Sequence, residues 1–269
     1  MKANFPGEYM TAVLTAESGD MEKIAEIITE CIRMGIPVLP PDVNESFAKF
    51  TLIKSPEGDT IRFGLESIKN VGSNIVDAII TERTTNGRFA SLTDFAERVR
   101  HKDFNKKSLE SLIKCGAVDE LGERNQLLGN LETILDFNRE SQKAKGGGQV
   151  SLFSLAPEVQ VASLRLKPSE PADKRNRLQW ERELLGLYVS EHPFQDYAEK
   201  FKSKKVTALK DLTVSMRNQK VSIGGLVSAI QKITTKSGEP MLFVKLEDLT
   251  NRTEVLVFPK VLARNPAIW

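Results

Sequence analysis

Three consecutive glycines, Gly146-Gly147-Gly148, restrict most strongly what this chain can fold into. Glycine loses more backbone entropy on ordering than any other residue, so no stable helix or strand is expected to run through them. Directly after them come Gln149-Val150-Ser151-Leu152-Phe153. Leu152 and Phe153 have no amphipathic period around them to bury them in a local core. An apolar pair on a flexible tether is expected to be buried on another protein, in a segment that orders on binding. The competing account is a linker whose Leu-Phe pair packs back on its own domain, and the flanking sequence has to decide between them.

The 269 residues leave room for two or three compact units. With 40% hydrophobic and 28% charged residues, the composition is that of an ordinary soluble protein. A net charge of +2 neither demands nor forbids a nucleic-acid partner, so any basic patch must be local. Cys31 and Cys115 lack CxxC spacing and read as buried thiols in a reducing cytoplasm, not as a disulfide or zinc site. Two histidines, His101 and His192, are too few for a histidine-based metal cluster. No apolar run approaches about 18 residues and the start has no signal-peptide pattern, so a cytoplasmic chain without a membrane partner is expected.

Residues 1–64 open on Phe5-Pro6-Gly7, Tyr9, Met10, Val13 and Leu14, an apolar beginning that reads as the middle of a domain. Ser18 to Met34 predicts a helix with Met21, Ile24, Ile27, Ile28, Cys31 and Ile32 on its apolar face and Gly35 as its cap. Pro37, Pro40 and Pro41 stop any helix. Phe50 to Ile53 and Thr60 to Phe63, around Pro56-Glu57-Gly58-Asp59, predict a β-hairpin.

Residues 65–120 carry the chemistry. A short helical turn over Leu65 to Lys69, then Asn70-Val71-Gly72, then a helix over Ser73 to Glu82, sets the backbone N–H groups of Gly72, Ser73 and Asn74 at a helix start. Those donors and the helix dipole favour an anion, Gly72 lets it come close, and Lys69 can add a charged contact. Further on, Ser91-Leu92-Thr93-Asp94 has capping-box-like spacing and starts a helix to Val99. Asn105 caps Lys106 to Cys115, with Leu109, Leu112 and Ile113 inward and Gly116 ending it. Between Arg98 and Lys114 stand Arg98, Arg100, Lys102, Lys106, Lys107 and Lys114 against Asp103 and Glu110, a local +4. A basic strip beside two turns with waiting N–H groups favours phosphate over a merely solvated face, with Lys102, Lys106 and Lys107 as contacts.

Residues 121–145 predict one amphipathic helix over Arg124 to Ser141, and 146–173 have linker composition. A helical bridge over 174–213 includes Leu178, Leu184 and Leu185. Glu181 and Glu183 point to different faces there and make a poor metal pair. His192 before Pro193 is most simply a turn residue.

Residues 218–269 predict strands over Lys220 to Ser228, Ile230 to Thr235, Met241 to Leu249 and Glu254 to Phe258, with Gly224-Gly225 at a bend. Basic residues again exceed acidic ones by four. The order of these strands resembles an OB-fold, and that resemblance implies that Lys232, Lys236, Phe243 and Lys245 would face single-stranded DNA. The fold class expected for the whole is multidomain, mainly α with a small β-barrel.

Several of these stretches resemble, in order, one family. Pro40-Pro41-Asp42-Val43-Asn44, Ile61-Arg62-Phe63-Gly64-Leu65, Glu181 to Tyr188 and Glu191-His192-Pro193-Phe194 are similar to the α subunit of bacterial DNA polymerase III, as is Phe-Pro-Gly-Glu-Tyr-Met at the start. Within that resemblance 1–64 is the end of the fingers domain, 65–120 a tandem helix-hairpin-helix, and 218–269 an OB-fold that stops early, leaving an open edge. Gln149 to Phe153 resembles the peptide by which bacterial replication proteins bind the sliding clamp, Leu152 and Phe153 filling a groove and the Gln149 amide bonding at its lip. The resemblance implies a piece of a DNA-directed DNA polymerase, a nucleotidyltransferase. Its partners would be primer-template duplex, the clamp and the rest of the replisome. Mg²⁺ would serve the parent enzyme, since no Asp-x-Asp pair is present to hold two ions and no cofactor is expected for this chain. A free-standing DNA-binding repair protein, or a helical interaction protein with solvated basic strips, remain the alternatives.

Overall fold

The computed structural model describes residues 2–146, 164–202, 205–265 and 268. It divides into two compact units, Met1–Ser190 and Glu191–Trp269. Gln149, Val150, Ser151, Leu152 and Phe153 lie outside the described residues.

In the first unit, α1 (Pro6–Ala16) starts on proline, whose missing N–H costs nothing at that position, and buries Met10 and Leu14. Helix α2 (Met21–Arg33) buries Ile24, Ala25, Ile28 and Cys31. Ile32, expected on that apolar face, is 62% exposed. The predicted hairpin forms as β2 (Thr51–Ile53) against β3 (Thr60–Arg62). A strand the sequence concealed, β1 (Val38–Leu39), lies parallel to β3 on its other side. Its flanking prolines mask it, yet Pro37 needs no N–H here. Its carbonyl accepts from Ile61, and that of Leu39 accepts from Phe63.

Helix α3 (Ser73–Asn86) runs beyond Glu82 and ends at Gly87, and α4 (Leu92–Arg98) and α5 (Lys106–Lys114) follow as expected. Asp94 stands in for the usual capping-box acid: its N–H donates to the Ser91 hydroxyl while its carboxylate accepts from Ala90 N–H. Phe89, Phe95 and Phe104 meet edge to face beneath these helices. The single helix expected over Arg124 to Ser141 is two, α6 (Arg124–Gly129) and α7 (Leu131–Gly146), broken at Asn130. Asn130 is outside the helical conformation, and its side chain accepts from Lys167 N–H and donates to the carbonyls of Lys167 and Gln126. Buried Asn138 on α7 donates to the carbonyls of Ala96 and Val99, closing the C-terminal end of α4.

Part of the stretch read as linker packs on the first unit. Residues 164–173 lie along α6, with Leu164 and Leu166 against the core and Ala172 N–H donating to Glu123. Helix α8 (Lys174–Leu185), capped by Asp173, then packs beside α5. One hydrophobic core runs from Met10 to Leu187, joining segments that the sequence had separated at 64 and 120. Within it Arg124 meets buried Glu181 at 3.1 Å and reaches Asp119 at 2.8 Å. The second oxygen of Glu181 accepts from the N–H groups of Val189 and Ser190. Glu181 is thus an internal anchor.

In the second unit, Phe194 stacks on Phe201 of α9 (Gln195–Lys202). Three antiparallel strands follow in the order β4 (Leu226–Thr234), β5 (Pro240–Glu247), β6 (Arg252–Val257), with α10 (Pro259–Arg264) beside β5. The strands expected over 220–228 and 230–235 are one strand with a bulge between Val227 and Ala229. Gly225 serves close approach, since a Cβ there would stand 2.7 Å from the Glu247 carbonyl. The described residues are mixed α and β with two small sheets, and the β4–β5–β6 sheet, where an incomplete barrel was expected, does not close among them.

Both cysteines are free and buried. Burial, with the Glu30 charge beside it, pushes the Cys31 thiol up to about 11, and burial pushes Cys115 up to about 12. Neither should react with a disulfide reagent at pH 8 until denaturant is added; rapid labelling of the native chain would contradict this packing. Glu181→Ala should lower the unfolding free energy by about 3 kcal/mol, because it strips a buried cation of a partner. Urea unfolding measures this, and a loss below about 1 kcal/mol would deny the pair its structural role.

Candidate nucleic-acid interface

The turn before α3 is built by residues with separate tasks. Ile68 and Val71 are buried and plug the turn into the core, so Val71, expected among the contacts, presents no side chain to a ligand. Asn70 between them adopts φ +69, the left-handed conformation that Asn tolerates better than most side chains. Gly72, at φ −82 and ψ 160, is extended and needs no glycine-specific dihedral. A Cβ on it would meet nothing within 4 Å. The space over Gly72 is open to an approaching group, and that is what its missing side chain leaves available.

As the residue preceding the helix, Gly72 offers no side-chain cap. The backbone N–H groups of Gly72, Ser73 and Asn74 consequently have no acceptor among the described residues. The other two helix starts differ. The Ser91 hydroxyl accepts from Asp94 N–H at α4, and the Asn105 side chain accepts from Lys107 and Ser108 N–H at α5. The second turn was expected to hold N–H groups in waiting, but its own cap takes those of Lys107 and Ser108. Of these three starts, that of α3 is the one without a side-chain cap.

That charge is smaller than the composition implied. Arg98 is a clamp inside the fold: its guanidinium donates to Glu82 at 3.0 Å, Asp94 at 2.8 Å and Gly87 O at 2.7 Å, over the Phe89 ring. Burial alone would lower its pKa, but the bonds to Glu82 and Asp94 outweigh it and the charge is held. Lys114 pairs with Glu110 and lies over Trp180. Lys106 pairs with Glu132 of α7 at 2.9 Å, which raises its pKa through that hydrogen bond. Lys69, Lys102 and Lys107 are exposed, with no ion-pair partner among the described residues. Lys102 and Lys107 flank a second turn that the structure joins to the first, for Asn74 Nδ2 donates to Asp103 at 3.2 Å. His101 also faces Asp103, at 3.6 Å.

Three neighbours of the first turn carry no sequence signal, because each is remote in the chain. Asp103 meets Asn74, Ser111 of α5 accepts from Asn70 Nδ2 at 3.3 Å, and the Leu184 carbonyl accepts from Lys69 N–H at 3.1 Å. In the second unit the strand register separates the residues expected on single-stranded DNA. Lys232 stands opposite Leu242 on one face of the sheet. Phe243 and Lys245 alternate with Leu242 along β5 and share the other face. Lys236 lies in the β4–β5 turn.

Residues 35–127 match the family model described as a helix-hairpin-helix motif. Nearly the whole chain also aligns with longer proteins named DNA polymerase III subunit alpha. Identity is 39% with that of Saccharopolyspora erythraea, over 97% of this chain and 22% of the relative. The chain is homologous to a segment of the DNA polymerase III α subunit. The relative from Thermus aquaticus is 38% identical over 96% of the chain and 21% of its own length, and that from Vibrio cholerae 32% over 98% and 23%. The chain thus spans about a fifth of the length of these α subunits. Among the described residues no group of three or more His, Cys, Asp or Glu could hold a metal ion, and no helix is long and apolar enough to cross a membrane.

Removing Arg98 and removing Lys107 should have opposite signatures. Arg98→Ala should lower the unfolding free energy by about 2–4 kcal/mol, since it breaks several charge-assisted hydrogen bonds of a half-buried side chain at once. Lys107→Ala should change it by less than about 0.5 kcal/mol, as for an exposed unpaired side chain. Thermal or urea unfolding of the two variants decides, and equal losses would contradict the assignment.

Proposed function

We propose that this chain is a non-catalytic part of the α subunit of a bacterial replicative DNA polymerase, acting in the cytoplasm, and that it supplies grip where other parts supply chemistry. The observation that carries the reading is the uncapped α3 start. It lies inside the helix-hairpin-helix match of a chain homologous to DNA polymerase III subunit alpha. A phosphate of the primer-template duplex would accept from Gly72, Ser73 and Asn74 N–H, while Lys69, Lys102 and Lys107 neutralise its neighbours. Lys106 joins them only by giving up Glu132. Such contacts hold the backbone and read no bases.

Gln149, Val150, Ser151, Leu152 and Phe153 would bind the sliding clamp, as their likeness to a clamp-binding peptide and their place beside three glycines support. Holding duplex and clamp at once raises effective concentration, and avidity grows by about 10²–10⁴ without new contacts. The β4–β5–β6 sheet would be three strands of an OB-fold, with Phe243 and Lys245 as the face toward a single strand. The nucleotidyltransferase activity, its Mg²⁺ and the remaining replisome contacts belong to the whole α subunit.

Duplex affinity should fall steeply with salt, by about 0.9 log units per tenfold salt for each phosphate neutralised, so three free lysines give a slope of about −2 to −3. Fluorescence anisotropy measures it, and binding that ignores salt would favour an interaction protein with solvated basic strips. Gly72→Val should leave the unfolding free energy unchanged yet weaken duplex binding about tenfold, worth about 1.4 kcal/mol. Phe153→Ala should cost about 2–4 kcal/mol of clamp affinity, as loss of a buried aromatic anchor does. Calorimetry with purified clamp tests this, and unaltered affinity would remove the peptide from the proposal.

A further inference from the structure

We infer that Asn70 and Ser111 form a positioning pair that fixes the α3 start against α5, so that the two turns meet one stretch of duplex as a single surface. The inference rests on the duplex-binding reading above and adds to it the residues that set its geometry.

Asn70 is one of only two non-glycine residues at positive φ among the described residues. It reverses the chain between the buried side chains of Ile68 and Val71. Its dihedral decides where the N–H groups of Gly72, Ser73 and Asn74 point, because these follow it directly. The residue is exposed, yet its side-chain amide also reaches α5. The amide donates to the hydroxyl of Ser111, a residue only 4% exposed on the inward side of α5. The helix that carries Lys107 is thereby bonded to the residue that aims the N–H groups.

A second bond supports the same alignment from the outside, where Asn74 Nδ2 donates to Asp103 in the loop leading to α5. A third holds the base of the turn, where Lys69 N–H donates to the Leu184 carbonyl at the end of α8. Neutral donors and a separate cation can engage one polyanion together only if their separation is fixed. Here the fixing elements come from α5 and α8, not from the turn itself. Glycine at position 70 would permit the same φ without strain but would lose the tie to Ser111. The side chain therefore contributes alignment beyond what the turn conformation requires.

The test is duplex binding by the full chain, measured by anisotropy on a 20-base-pair DNA across a salt series, with thermal midpoints recorded in parallel. Asn70→Gly and Ser111→Ala should each weaken binding about three- to tenfold. The double variant should be no weaker than the worse single one, because both remove one bond. Neither should alter the slope of log affinity against log salt, since no cation is lost, whereas Lys107→Ala should make that slope shallower by about one. If wild-type chain binds with the expected slope and Lys107→Ala shifts it, yet both positioning variants bind like wild type, this inference falls and the duplex reading stands. Additive losses in the double variant, or a changed slope in either single one, also overturn it. If the wild-type chain shows no salt-dependent duplex binding, both readings fall together.

Discussion

Arg124 and Glu181 stand 57 residues apart in sequence and meet at 3.1 Å in the interior of the first unit, where Glu181 is 1% exposed. Burying two charges is costly, and their attraction offsets that cost only when every remaining polar atom finds a partner. Here they do. Arg124 also bonds Asp119 and the Lys114 carbonyl, and Glu181 also accepts from Val189, Ser190 and the Ser190 hydroxyl. The pair ties α6, which precedes residues 147–163, to α8, which follows them.

The candidate interface inherits its geometry from this tie. Helix α8 ends at Leu185, and the Leu184 carbonyl receives the N–H of Lys69 at the foot of the α3 turn. From there Asn70 and Ser111 carry the alignment to α5. A turn that would bend freely as an isolated peptide is braced at three points by partners more than 25 residues away. Its exposed N–H groups remain free because the residue before the helix is a glycine. At α4 and α5 the corresponding residues are Ser91 and Asn105, and their side chains close the helix starts. One atom group, present or absent at a single position, separates a structural helix end from one that can receive an anion.

The electrostatics follow the same division between local and remote. Six basic residues between 98 and 114 looked equivalent in the sequence. Arg98 turned out to hold α3 to α4, Lys114 to lie over Trp180, and Lys106 to face Glu132. Which cations stay available to solvent depended on acids and aromatics brought from α3, α7 and α8. In the second unit the alternation of β5 did the equivalent sorting, sending Lys232 and Lys245 to opposite faces.

Much was legible in the residues alone because local physics governs it. The 3.6-residue period marked α2 and α5, the Ser91 and Asn105 caps placed the starts of α4 and α5, and the prolines and glycines marked where elements stop. The order of motifs along the chain also pointed to the family to which nearly all of it aligns. What the sequence did not disclose was decided by pairings that close only in three dimensions. Strand β1 is held by hydrogen bonds donated from Ile61 and Phe63, and at the break between α6 and α7 the Asn130 side chain bonds the backbone of Lys167. The docking of 164–173 depends on Glu123 and α6. Capping, periodicity and turn chemistry act within a few residues and can be read in one dimension. The open helix start, the free lysines and the tie between Asn70 and Ser111 depend on which distant groups fold beside them, and only the tertiary structure supplies that.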